Sequence, residues 1–299
     1  MKKILAIGFI LSGYFCSYAS PLSDALKAVA AKCQVDLRYA SISGCPDGED
    51  AKVKAIIDAD GVAKSLSDLA NAFASKEEKL SALSTSYLYS YRTSISDVLK
   101  NPKLVTAKTV DTFIKALGQN KTYVSYYAAE ITTVLATLHK KESALFKVLD
   151  AHPESATRNE GYRHAMYQGR LRVFDRIKKA ATDTKREYLA DAALNAPEYM
   201  YNYSDKEKAA VCEWAKGFLN AENPRHTAYA ARVLVLRCLG GYIDDVLDRA
   251  EELKKAGQLA NHAMREALTN FTFSCQAYMG SEPTGTPAQC ARKEVLLRP

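Results

Sequence analysis

The chain has 299 residues with 41 basic and 34 acidic side chains, giving a formal net charge of +7. A chain this long buries a large core, as one extended domain or two compact ones. The charge is mildly basic only, so it permits attraction to nucleic acid, anionic lipid or acidic polysaccharide without demanding any of them, and no nucleic-acid partner is expected.

Residues 1–19 read as an export signal rather than as part of the fold. Lys2 and Lys3 make a basic start, Ile4 to Leu11 make an apolar run too short to span a bilayer, and Ser17, Tyr18 and Ala19 precede the expected cleavage point. Ser12 and Gly13 interrupt the apolar run, so no membrane span is expected once the signal is removed. Cleavage after Ala19 removes Lys2 and Lys3 and takes the charge from +7 to +5. The expected location is the periplasm or the medium outside the cell.

Cys16 leaves with the signal, and six cysteines remain: Cys33, Cys45, Cys212, Cys238, Cys275 and Cys290. An even count in an exported chain points to disulfides. Fifteen pairings exist for six cysteines. Three short-range ones suggest themselves: Cys33 with Cys45, Cys212 with Cys238, and Cys275 with Cys290. Cys238 with Cys275 is a rival, because both stand at the ends of successive equivalent helices. The spacing lacks the paired clusters a zinc site needs, so no metal and no cofactor are expected.

From the N-terminus, Leu22 to Cys33 reads as a short helix, and Gln34 to Asp50, with Gly44, Pro46 and Gly48, as an irregular segment. A helix is expected from about Asp60, with Leu66, Leu69, Ala70 and Phe73 inward. Another runs from Lys76, with Leu80, Leu83, Tyr87, Tyr91, Ile95, Val98 and Leu99 as its apolar residues, until Asn101-Pro102 stops it. Thr106 or Thr109 opens the next. Asn120 to His139 is a long helix with a short partner over Ala144 to Ala151. Gly161 to Ala180 reads as one helix, with Val173, Phe174 and Ile177 on one side and Arg172, Arg176 and Lys179 on the other. Thr184 to Asn195 follows, then a helix opened by a Ser204–Glu207 capping box.

Asn223 and Pro224 start a further helix, expected to run to Leu239. Its successor carries Ile243, Val246, Leu247, Ala250 and Leu253 on one face, with Asp244, Asp245 and Asp248 early and Lys254 and Lys255 late, which suits the helix dipole. No run of alternating apolar and polar residues flanked by turn signals reads as a strand. The expected class is all-α.

A weak repeat runs through the second half. Arg163-His164-x-x-Tyr167-x-Gly169-Arg170 resembles Arg225-His226-x-x-Tyr229-x-Ala231-Arg232, Asn261-His262-x-x-Arg265-x-Ala267 resembles both, and Tyr127-x-Ala129 is a fainter copy. The small residues let helices of successive copies approach closely. With paired helices and spacings near 40, the chain resembles a divergent HEAT-like, armadillo-type α-solenoid. The resemblance implies stacked antiparallel helix pairs stapled by the disulfides. The organisation it implies is an N-terminal helical segment over 20–105, HEAT-like repeats over 106–280, and a C-terminal loop and capping helix over 281–299.

Catalytic spacing is lacking: there is no H-E-x-x-H, no G-x-S-x-G, no phosphate-binding glycine loop and no dinucleotide fingerprint, so no catalytic residue is assigned. Three features suit binding. Tyrosines cluster at Tyr199, Tyr201 and Tyr203, placed in a loop with little core to join, and tyrosine offers an apolar ring with a polar tip. Arg172, Arg176 and Lys179 form a basic stripe fit for an acidic partner. His164, Tyr167 and Arg170 beside His226, Tyr229 and Arg232 suggest a ladder between copies. The expected function is an exported, non-catalytic binding or scaffold protein that presents an extended helical surface to a protein or peptide partner. The alternative is a cell-envelope enzyme or accessory acting on, or binding, a cell-wall polysaccharide.

Overall fold

A computed structural model describes residues 20–37, 40–46, 48–120, 126–270, 275 and 284–298, and the expected signal over 1–19 lies outside them. The class is all-α. The helices are α1 (Pro21–Lys32), α2 (Glu49–Asp60), α3 (Val62–Phe73), α4 (Glu78–Ser90), α5 (Arg92–Lys100), α6 (Ala107–Gln119), α7 (Tyr126–Leu138) and α8 (Glu142–Ala151). They continue with α9 (Ser155–Gly169), α10 (Leu171–Ala181), α11 (Glu187–Asn195), α12 (Asp205–Lys216), α13 (Pro224–Val233), α14 (Gly241–Lys255), α15 (Ala263–Asn270) and α16 (Pro287–Leu297).

Local chemistry starts many of them. The side chains of Ser20, Thr106 and Asn223 accept backbone N–H bonds at the openings of α1, α6 and α13. Ser204 with Glu207 and Thr286 with Gln289 form complete capping boxes on α12 and α16.

The structure departs from the sequence expectation in five places. The segment after Cys33 holds a small antiparallel hairpin, β1 (Gln34–Asp36) with β2 (Ser41–Ser43), in the register Val35 opposite Ile42. Three residues on each side are too few for a readable alternation. The helix expected from Asp60 is preceded by α2, and Gly61 at φ +80° turns the chain between α2 and α3.

The long helix expected from Lys76 breaks at Tyr91, whose hydroxyl donates to Asp58 Oδ1 at 3.0 Å and has the Lys54 carbonyl of α2 as a second acceptor at 3.2 Å. Burial, followed by that Asp58 bond, pushes the Tyr91 phenol up to about 12. The helix expected over 161–180 splits at Arg170, a non-glycine residue at φ +50°. Its guanidinium is held by the Asn202 carbonyl at 2.8 Å and Glu207 at 2.5 Å, contacts that offset the cost of that backbone conformation.

The helix expected over 224–239 also changes character: α13 gives way to a π-helical turn at Leu234–Cys238, which ends at Leu239 with φ +57°.

Three disulfides join Cys33 to Cys45, Cys212 to Cys238, and Cys275 to Cys290, with Cα separations of 4.3, 5.8 and 5.8 Å. Cys238 therefore does not pair with Cys275. The π-helical turn packs against α12, which brings Cys238 to Cys212 even though Cys212 lies well inside its helix.

Consecutive helices pack as pairs: α3 with α4, α6 with α7, α8 with α9, α10 with α11, and α12 with α13. A second succession has α4 packing on α7 and then runs through alternate helices, α7 on α9, α9 on α11, α11 on α13, and α13 on α15. On the other side α3 packs on α6 and α6 on α8, and further along α12 packs on α14 and α14 on α16. One hydrophobic core runs from Leu22 to Leu296.

The small residues Ala129, Gly169, Ala231 and Ala267 are all buried in it. Gly161 marks a closer approach, since a Cβ there would lie 2.3 Å from Leu149 Cδ2 on α8.

Candidate functional site

Three helices each turn one stripe toward a common cleft. On α5 the stripe is Ser96, Leu99 and Lys100; on α7 it is Glu130, Val134 and Leu138; on α9 it is His164, Tyr167 and Gln168. Spacings of three and four residues put each set on one helix face. Tyr199 and Tyr201, at the end of and just after the 3-10 turn Ala196–Tyr199, close the cleft, which has a volume of about 560 Å³. That volume lies within the usual range for ligand pockets.

Arginines set the aromatic wall. Arg163 lies 5.4 Å from the Tyr199 ring and Arg237 lies 3.9 Å from the Tyr201 ring. The Tyr199 ring sits 5.3 Å from the His164 ring and 6.1 Å from Tyr201. Asn202 Nδ2 donates to the Tyr167 hydroxyl at 3.2 Å, which ties α9 to the segment after Tyr201. Tyr201 remains 56% exposed, so its ring is open to a ligand.

Beneath this wall lies a charged cluster. Glu198 takes Arg163 from α9 at 2.7 Å and Arg232 from α13, and its carbonyl accepts from Arg237 Nε at 2.5 Å. Arg163 also pairs with Glu160 at 2.7 Å. His164 stands between two carboxylates, with Glu160 3.6 Å from Nε2 and Glu130 4.0 Å from Nδ1. Burial, aided by the adjacent Arg163 guanidinium, nonetheless holds its pKa down to about 4, so the ring is neutral at pH 7. Burial, with Glu160 behind it, raises the Glu130 carboxyl above its ordinary range. At the rim, Lys100 pairs with Asp97 at 2.6 Å.

Of the residues singled out in the sequence, Tyr167, Tyr199 and Tyr201 meet in this cleft. Tyr203 does not join them. It is 6% exposed and its hydroxyl donates to the Met166 carbonyl at 2.5 Å, so it secures the segment from inside instead of presenting a binding ring.

Arg172 and Arg176 line a separate groove between α8 and α10, where Glu142 meets Arg172 at 2.7 Å and Asp150 takes Arg176. Those acids from α8 neutralise the expected basic stripe, of which Lys179 is an exposed end. Tyr229 lies in another groove, of about 320 Å³, between α13 and α15 with Arg225 and Arg232.

The expected ladder also takes a different form. His226 faces Asp191 of α11 at 3.5 Å and His164 faces Glu130 of α7, while the bond joining α9 to α13 runs through Glu198. Sequence reasoning missed Glu130, yet a signal exists: it follows Tyr127-x-Ala129 at the register that Arg170 and Arg232 occupy in the other copies.

Among the described residues, no group of three or more His, Cys, Asp or Glu side chains is arranged to hold a metal ion, and no helix is long and apolar enough to cross a membrane. In comparisons with known proteins, no family model, no curated protein and no solved structure matches the chain.

Proposed function

We propose that the chain is an exported binding protein, a HEAT-like array of helix pairs that holds a segment of an extended partner in the cleft between α5, α7 and α9. The observation that carries this reading is the meeting of Tyr167, Tyr199 and Tyr201 around one open cleft. Aromatic rings with polar tips supply contact area at little entropic cost, and arginines stacked behind them hold the rings in place. The succession of helices from α4 to α15 supports the array, because stacked repeats expose one long face. Three disulfides suit a periplasmic or extracellular location.

A protein or peptide is the partner that the array alone suggests. A cell-wall polysaccharide is favoured by a specific observation, the carboxyl of Glu130 among tyrosines.

Envelope extract passed over immobilised protein tests the reading. Wild type is expected to retain a component that Tyr201→Ala loses, while the variant melts like wild type because the side chain is exposed. Equal retention by both proteins, or none by wild type, overturns the assignment of this cleft.

A further inference from the structure

The polar groups of the cleft discriminate between ligand classes. An anion would approach the Glu130 carboxyl with Glu160 close behind it, and the one cation among the described lining residues, Lys100, is already paired with Asp97. A cation would stack on rings whose other contacts already include guanidinium groups, Arg163 on Tyr199 and Arg237 on Tyr201. A proline-rich peptide would cover the Glu130 carboxyl and the Gln168 amide with rings that carry no donor, leaving polar groups desolvated at a cost. What remains is a neutral ligand with flat apolar faces for the tyrosines and hydroxyl donors for the carboxyl.

From this, resting on the proposed binding role of the cleft, we infer that its occupant is a neutral polysaccharide chain of β-1,4-linked glucose or N-acetylglucosamine units. With every ring substituent equatorial, such units present C–H faces that stack on Tyr199 and Tyr201, and their rim hydroxyls are directed at Glu130, Gln168 and Tyr167. The neutral ring of His164 fits the same ligand, since it does not lose a hydration shell as a full charge on binding.

Titration calorimetry of the full oxidised chain with cellohexaose and chitohexaose tests the inference. At least one hexasaccharide is expected to bind, at least tenfold more weakly to Tyr201→Ala and to Glu130→Leu. Glu130→Gln, which keeps the planar hydrogen-bonding end, is expected to stay within a few-fold of wild type. Binding is expected to be unchanged in 0.5 M salt, where contacts between full charges weaken.

Failure of both hexasaccharides to bind, or binding indifferent to Tyr201→Ala and Glu130→Leu, overturns the inference, as does Tyr201-dependent binding of a proline decapeptide in their place. If the sugars fail while the Tyr201-dependent retention from envelope extract persists, only the ligand class is wrong; if both fail, the binding role falls with it. Release of shorter sugars from a bound hexasaccharide would support the ligand and overturn the non-catalytic role.

Discussion

His164 shows how one side chain makes the cleft respond to acid. Its pKa is near 6.5 in the unfolded chain and is held down to about 4 in the fold. The contribution to stability is therefore complete above about pH 6.5, is lost progressively as the pH falls toward 4, and is flat below that. The span is worth roughly 3 kcal/mol at most. Glu130 opposes it: its raised pKa lets the fold keep a proton that the unfolded chain has released, so this carboxyl weakens stability as the pH rises through the carboxylate range. Urea unfolding of His164→Gln between pH 7 and pH 4 should show a flatter dependence than wild type. An unchanged slope would place the acid response elsewhere. The sequence displayed His164 as part of a repeat, but its partners come from α7 and its own helix, and only the packing of those elements brings Glu130 to it.

At the scale of elements, caps were readable and interruptions were not. Ser204 and Glu207, or Asn223 and Pro224, announce a helix start because the signal lies within a few residues. The breaks at Tyr91 and Arg170 are imposed from outside: Tyr91 is drawn to α2, and Arg170 to Asn202 and Glu207. Local periodicity continues through both positions and so reads as one helix. The same limit hid the π-helical turn, which the apolar run Val233 to Leu236 does not distinguish from ordinary helix. Close packing of elements can be tested at Gly161. Its position against Leu149 predicts that Gly161→Ala destabilises by about 1–3 kcal/mol through overpacking, in spite of the better helix propensity of alanine. Denaturant midpoints decide it, and a variant as stable as wild type would mean that α8 yields freely.

For the whole molecule, the all-α class and the presence of disulfides were legible, because helical periodicity and an even cysteine count are carried by single residues, whereas the partner of Cys238 was decided only by the packing of the π-helical turn on α12. The site was legible only in part. Tyr199 and Tyr201 stood out by clustering, whereas Ser96 and Lys100 lie far from them in the chain and carry no mark of their own, and Leu99 reads only as part of an apolar helix face. The three disulfides close loops of 12, 26 and 15 residues, and the chain-entropy relation ranks Cys212–Cys238 as the strongest, at about 3.5 kcal/mol. Replacing both of its cysteines by serine should lower stability by about that amount and by more than either other pair. Urea titration of the three double variants would show the order, and a larger loss for Cys33–Cys45 would refute it.

That crosslink reaches further than stability. Cys238 ends the π-helical turn, and the preceding residue, Arg237, stacks on Tyr201 and donates to the Glu198 carbonyl. The tyrosine wall is thus fastened by a covalent bond that forms only under oxidation. On the proposed binding role, a ligand that grips Tyr201 more tightly in the oxidised chain would protect the bond from reductants by the same free energy with which the bond strengthens its binding. On the same proposal, the reduced chain would hold the ligand less tightly than the oxidised one.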